Sequence, residues 1–191
     1  MELIPIFRQE NPTLYAVKYN GESEDEYHRL FDLWSDIEYL ETFFQDNIKD
    51  LLKGFYRYPS VEDAIEKTIN DAESLEDYLQ SLVECSLIDR FSLQTLFQPL
   101  NAHETHLSSM QKSKARYKKS PWLRLYAIRI ASDLFVITGG AIKLTKLMEE
   151  REHTQKEFCK LDLVKNFLFD QGLLDKEDFE YLKYLLPVSL L

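Results

Sequence analysis

The stretch WLRLYAIRI-ASD-LFVITGGAIKLT, residues 122–145, decides how this chain is read. Two runs rich in β-branched and aromatic residues flank Ala131-Ser132-Asp133, a join of hairpin length. Strand alternation puts Trp122, Arg124, Tyr126, Ile128 and Ile130 on one face of the first run, and Leu123, Leu125, Ala127 and Arg129 on the other. Apolar residues on both faces imply central strands in a sheet covered on both sides. Gly139-Gly140 inside the second run implies a bulge or the close approach of another backbone.

Upstream, ELIPIF and TLYAVKY read as two short strands around the turn residues Gln9–Pro12, and Asn20-Gly21 is a further turn signal. The period then becomes helical. Tyr27, Leu30, Phe31 and Trp34 form one stripe. Ser35 and Glu38 have capping-box spacing, which starts a second helix with Ile37, Leu40, Phe44, Ile48 and Leu51 buried and Gly54 as its C-terminal cap. A third helix starts at Ser60, with Val61, Ile65, Thr68, Ala72, Leu75, Leu79 and Leu82 inward and carboxylates outward. A short helix is expected near Leu93–Phe97, and the polar residues 101–120 read as a surface loop or the mobile approach to the next strand. After the hairpin, Thr154 and Glu157 have the spacing of another capping box. Phe158, Leu161, Val164 and Leu168 would be buried, Gly172 would end that helix, and a last one runs from Asp175 toward Leu186 before Pro187.

The expected fold is therefore α+β: an antiparallel sheet with a central hairpin near residues 122–144, packed by several helices. One domain covers residues 1–191, with an acidic helical part at about 22–100, a basic hairpin core at about 111–153 and C-terminal helices at about 154–187. Composition is ordinary for a globular chain, 45% hydrophobic and 29% charged. Cys85 and Cys159 lie in apolar helical contexts and read as buried thiols. The N-terminus lacks a basic region followed by a long apolar run, and no stretch approaches the ~20 apolar residues that span a bilayer. A cytoplasmic location and no membrane partner are the expectation. Oligomeric state is not legible.

The net charge of −10 is unevenly spread. Residues 1–110 hold 8 Lys/Arg against 22 Asp/Glu, residues 111–160 hold 12 against 5, and residues 161–191 hold 3 against 6. The acidic bulk argues against nucleic acid, because acidic surface repels phosphate; the basic middle reopens that possibility locally. Acidic and basic halves can also neutralise one another within the fold.

Phosphate-loop, zinc-protease and serine-hydrolase motifs are missing. His103, Glu104 and His106 in a polar loop, and Glu73, Glu76 and Asp77 on a solvated helix face, are weak grounds for a metal, and no cofactor or metal is assigned. The sharper pattern is basic. Arg124 and Arg129 lie on the first strand, Lys143 and Lys146 at the end of the second, and Arg151 and His153 follow. RNA cleavage without a metal needs a cation for the developing phosphorane charge and groups that move protons. Arg124, Lys143 and Lys146 suit the first task, and His153, or Tyr126, the second. Lys112, Lys114, Arg116, Lys118, Lys119, Arg129 and Arg151 would hold the RNA backbone. The structural alternative is that the arginines pair with acids of the N-terminal helices and the lysines only solubilise strand ends.

These residues carry a resemblance. The arginine-bearing strand, the short turn, LFVITGGAIKLTK and the helix after it look like the C-terminal core of RelE/ParE-superfamily toxins, closest to HigB and related phage-derived proteins. Their second strand ends in a glycine, an aromatic, paired lysines and a threonine. Gly140, Lys143 and Thr145 match the glycine, first lysine and threonine; Arg124 matches the strand arginine; Ala141 replaces the aromatic and Leu144 the second lysine, with Lys146 one place further on. The likeness covers about residues 112–153, and the chain carries extra helices on both sides. It implies a RelE-like core with helical extensions, a metal-independent endoribonuclease of toxin–antitoxin type acting on mRNA, often at the ribosome, and a separate antitoxin partner. The alternative is a non-enzymatic interaction module on the same scaffold, working through its acidic helices.

Overall fold

The computed structural model describes residues 1–7, 13–53, 55–56, 58–84, 92–101, 107–117, 122–145 and 152–182. Six strands form one sheet in the order β1-β2-β6-β5-β4-β3. They are β1 (Glu2–Pro5), β2 (Leu14–Lys18), β3 (Phe97–Pro99), β4 (Gln111–Ala115), β5 (Leu123–Ala131) and β6 (Leu134–Ile142). Neighbours are antiparallel except β2 and β6, which run parallel. The helices are α1 (Glu26–Ser35), α2 (Ile37–Asp46), α3 (Ile48–Lys53), α4 (Val61–Glu84), α5 (Leu93–Leu96), α6 (Glu152–Asp170) and α7 (Lys176–Leu182). The fold is thus α+β, with a mixed sheet.

The period-2 pleat of the central strands divides the interior into two cores. Leu14, Ala16, Leu123, Leu125, Ala127, Phe135 and Ile137 meet the helices α1–α5. Tyr15, Val17, Tyr126, Ile128, Ile130, Leu134 and Val136 meet α6 and α7. A strand buried on both faces can afford no polar alternation, which is why the hairpin reads as nearly continuous apolar sequence. Trp122 departs from the alternation: it precedes β5, joins the α1–α5 core and donates its indole N–H to Thr68 Oγ1 at 3.0 Å. The two-glycine segment is a register shift between Tyr126 and Ala127, as its sequence implies.

The α1 stripe is buried as its period predicts, and α4 opens on a Ser60–Asp63 cap. Other helix starts differ from the sequence reading. Ser35 closes α1, and Asp36 caps α2 by accepting from the backbone N–H groups of Glu38 and Tyr39. Ile37 then stands at the first helical position and is 60% exposed instead of buried. Asn47 ends α2, so what read as one helix is two. α6 already begins at Glu152, placing Thr154 and Glu157 inside it and buried, not at a cap. The face of α6 that carries Leu161, Val164 and Leu168 inward leaves Cys159 exposed, contrary to the buried-thiol reading. Gly172, at φ +70, ends the α6 segment in the left-handed conformation that glycine adopts without a Cβ clash. Two strands had no sequence signal. β3 is three residues long, and β4, QKSKA, is held by backbone pairing from Gln111↔Arg129 to Lys114↔Tyr126, which needs no apolar side chains. The turn at Gln9–Pro12, Gly54, Cys85 and Leu186–Pro187 lie outside the described residues.

The glycine pair lets helices close on β6 from both sides. A Cβ at Gly139 would stand 2.0 Å from Glu157 Oε2 of α6. One at Gly140 would stand 2.6 Å from the Arg124 carbonyl oxygen and 2.9 Å from Leu30 Cδ1 of α1. Gly140→Ala should therefore lower stability by about 1–3 kcal/mol, because the neighbouring atom is backbone and cannot step aside. Urea unfolding of the two proteins checks this, and an unchanged midpoint would contradict the tight packing of α1 on β6.

Candidate functional site

Two features meet at the end of β6. The first is a group of cations on the α6 side of the sheet. Lys114 of β4 is half-buried; burial, then the charges of Arg116, Arg124 and Lys143, hold its ammonium below the ordinary lysine range. Arg116, Arg124 and Lys143 thus each lie within electrostatic reach of Lys114, although they come from β5 and from the residues that follow β4 and β6. Lys114 Nζ donates to the Leu100 carbonyl at 3.0 Å. Arg124 donates to its neighbour's carbonyl, on Leu123, at 2.8 Å and to the Tyr56 hydroxyl at 3.2 Å. Among the acids of the N-terminal helices, Asp25 engages His28, Glu26 engages Arg29 and Lys160, Asp71 engages Lys67, and Glu76 accepts from the Tyr27 hydroxyl.

The remaining sequence candidates divide. Lys112 is committed to an ion pair with Asp162 of α6. Arg129 sits at the other end of β5 from Arg124, is buried, and donates to the Ser108 carbonyl at 3.2 Å. Burial pulls its guanidinium below the usual value, against the opposing charge of Asp133. His153 lies in the first turn of α6, with its side chain outside the described residues. Lys118, Lys119, Lys146 and Arg151 also lie outside them, as do His103 and His106. Among the described residues, no group of three or more His, Cys, Asp or Glu side chains is placed to hold a metal ion, and no helix is long and apolar enough to cross a membrane.

The second feature was not found from sequence. A cleft of about 530 Å³ opens between α1, α2, the end of β6 and α6. Its charged floor joins the two helices across the sheet. Glu26 of α1 is 3% exposed and takes Arg29 Nε at 2.9 Å and Nη2 at 2.8 Å. Lys160 of α6 reaches Glu26 Oε2 at 2.9 Å and Glu157 Oε1 at 3.1 Å. Tyr19 donates its hydroxyl to the Thr138 carbonyl at 2.8 Å, and the Lys160 ammonium lies 5.5 Å from its ring centroid. Burial pulls Arg29 down, but its bonds to Glu26 and the nearby Glu157 charge outweigh that and hold it above its ordinary value. Glu157 is 5% exposed, and its Oε2 is sealed without a hydrogen-bond partner. Burial raises its carboxyl to about 7, with Lys160 opposing the rise and Glu26 adding to it. Buried charges of this kind cost several kcal/mol to desolvate, and clefts that hold them with a displaced carboxyl are candidate sites. Glu26 and Arg29 sit three apart on α1, as do Glu157 and Lys160 on α6; that spacing was legible, but only the fold brings the two pairs together.

The features adjoin. Ala141 and Ile142 line the cleft, Ala141 is the register partner of Arg124, and Lys143 follows directly. Tyr126 is held above the usual phenol range by burial, with Arg124 opposing and Glu157 adding. Compared with family models, with curated proteins and with solved structures, the chain matches none.

A raised carboxyl makes the folded state bind a proton that the unfolded state has released. The stability that Glu157 contributes is full when both states are protonated, near pH 4, and is lost as pH climbs through about 7. Unfolding free energy should thus fall between pH 5 and pH 8 by up to about 3 kcal/mol from this group. Glu157→Gln, which is always neutral, should flatten that slope and stabilise the protein at pH 8. Denaturation at several pH values measures it, and equal slopes in both proteins would show that Glu157 is not the titrating group.

Proposed function

We propose that the chain binds RNA through Lys114, Arg116, Arg124 and Lys143, and cleaves it as a metal-independent endoribonuclease of toxin–antitoxin type. The observation that carries this reading is the strand register: Lys114 pairs with Tyr126, two residues from Arg124, and Arg124 pairs with Ala141, two residues before Lys143, in a chain whose net charge is −10. A phosphate backbone supplies anions at regular spacing to such a row of cations. The order of strand, helices and antiparallel strands adds support from the resemblance to RelE/ParE-superfamily toxins, with Arg124 and Lys143 at the matched positions. In this reading Arg124 and Lys143 stabilise charge on the phosphorane. His153 moves the proton of the 2′-hydroxyl. Messenger RNA, free or on the ribosome, is the substrate, and an antitoxin protein is the silencing partner. The acidic outer faces of α2 and α4, with Glu38, Glu41, Glu62, Glu66, Glu73 and Asp77 exposed, favour the second reading, an interaction module that takes a basic partner on those helices.

Single-stranded RNA binding should weaken with salt, with a log–log slope of about −0.7 for each phosphate neutralised. Replacing both Arg124 and Lys143 by alanine should make that slope shallower by about 1.4, abolish RNA cleavage and remove the growth arrest caused by induced expression. A well-expressed wild type that neither arrests growth nor binds RNA would overturn the proposal and leave the interaction module.

A further inference from the structure

We infer that the cleft between α1 and α6 holds one nucleobase of the bound RNA strand, a pocket that rests on the RNA reading and extends it from phosphate to base. Its position follows from the parallel pair in the sheet. β2 and β6 run side by side only as far as Ala16↔Ile137, and β2 ends at Lys18. The chain then turns away at Asn20-Gly21, where the Glu22 N–H bonds to the Tyr19 carbonyl. β6 continues through Gly140 and Ala141, so its edge borders the cleft where β2 no longer covers it. Clefts outside the carboxyl ends of parallel strands are where open sheets bind ligands.

The chemistry of the cleft selects the occupant. The floor sets Glu26 and Glu157 against Arg29 and Lys160, groups that already engage one another. Such a floor recruits no free ion. It suits a neutral, planar group that carries both donors and acceptors, which is the description of a nucleobase. Tyr39 and Phe43, with ring centroids 6.3 Å apart and planes inclined by 26°, join Leu33 and Trp34 in an aromatic and aliphatic wall. Aromatic walls hold bases by stacking, whatever their identity. Phosphate has its own place next door: Ala141, which lines the cleft, is paired with Arg124, and Lys143 lies two residues further along. A nucleotide therefore spans both features, with its base in the cleft and its phosphate on the cations.

The test titrates the isotope-labelled wild type with AMP, GMP, CMP and UMP in turn, and with inorganic phosphate as the comparison, while NMR follows the amides of Tyr39 and Phe43 and the indole N–H of Trp34. At least one nucleotide should move these signals saturably while inorganic phosphate moves only signals near Lys114, Arg116, Arg124 and Lys143. Tyr39→Ala should weaken that nucleotide by about 5- to 150-fold, the equivalent of 1–3 kcal/mol of stacking, with an unchanged response to phosphate. Leu33→Trp, which fills the cleft from the opposite chemistry, should have the same effect if Tyr39→Ala does not fold. Nucleotides that shift the same residues as phosphate, and leave the cleft unmoved, overturn the base pocket while the RNA reading stands. A cation cluster silent to phosphate, nucleotides and RNA alike overturns both.

Discussion

Gly139 and Gly140 are squeezed between α6 on one side of the sheet and α1 on the other, and the central architecture depends on that contact. With no side chain at either position, Glu157 packs against the backbone of β6 from one face while Leu30 and Trp34 pack from the other. The bulge at this point lets β5 and β6 stay paired from Leu123↔Ile142 to Ala131↔Leu134 despite the extra residue. Because β2 stops short, the helices on opposite faces also meet beyond its end, where Lys160 of α6 bonds to Glu26 of α1. One backbone constraint thus joins the two cores, creates the cleft and buries the carboxyl of Glu157.

Charge is sorted by location rather than neutralised at long range. Several acids of the N-terminal part are consumed locally, as in Glu26–Arg29 and Lys67–Asp71, and others on α4 face outward. Burial, and then the charges of Arg116, Arg124 and Lys143, lower the Lys114 ammonium. A chain that is acidic overall thereby presents a basic strand end next to a cleft whose own charges are balanced. The neighbouring features thus differ in character: one is a row of cations on strand ends, the other a cleft of paired charges beside an aromatic wall.

The two-sided burial of residues 123–142 was legible because the pleat has a strict period, and a run apolar on both faces has only a central place in a sheet. The helical stripes of α1 and α4 were legible for the same kind of reason. Helix starts were misplaced by one residue at Ser35 and by three at Thr154, since several polar side chains can cap and the surrounding packing chooses among them. β4 was invisible because its stability comes from backbone pairing with β5, and QKSKA carries no trace of that pairing in its side chains.

The sequence by itself determined the α+β class, the hairpin, the buried helix faces and the identity of the basic residues, because each depends on local periodicity or composition. It did not determine which cations stand together. Lys114, Arg124 and Lys143 come from separate segments whose register is set by strand pairing, while Arg129, on the same strand as Arg124, ends buried at the other end. Nor did it reveal the cleft, whose two charged pairs are separated by 134 positions between Glu26 and Lys160. Only the tertiary structure decided these, because the energies of charges and cavities depend on distance and burial in space, and neither is written in the order of the residues.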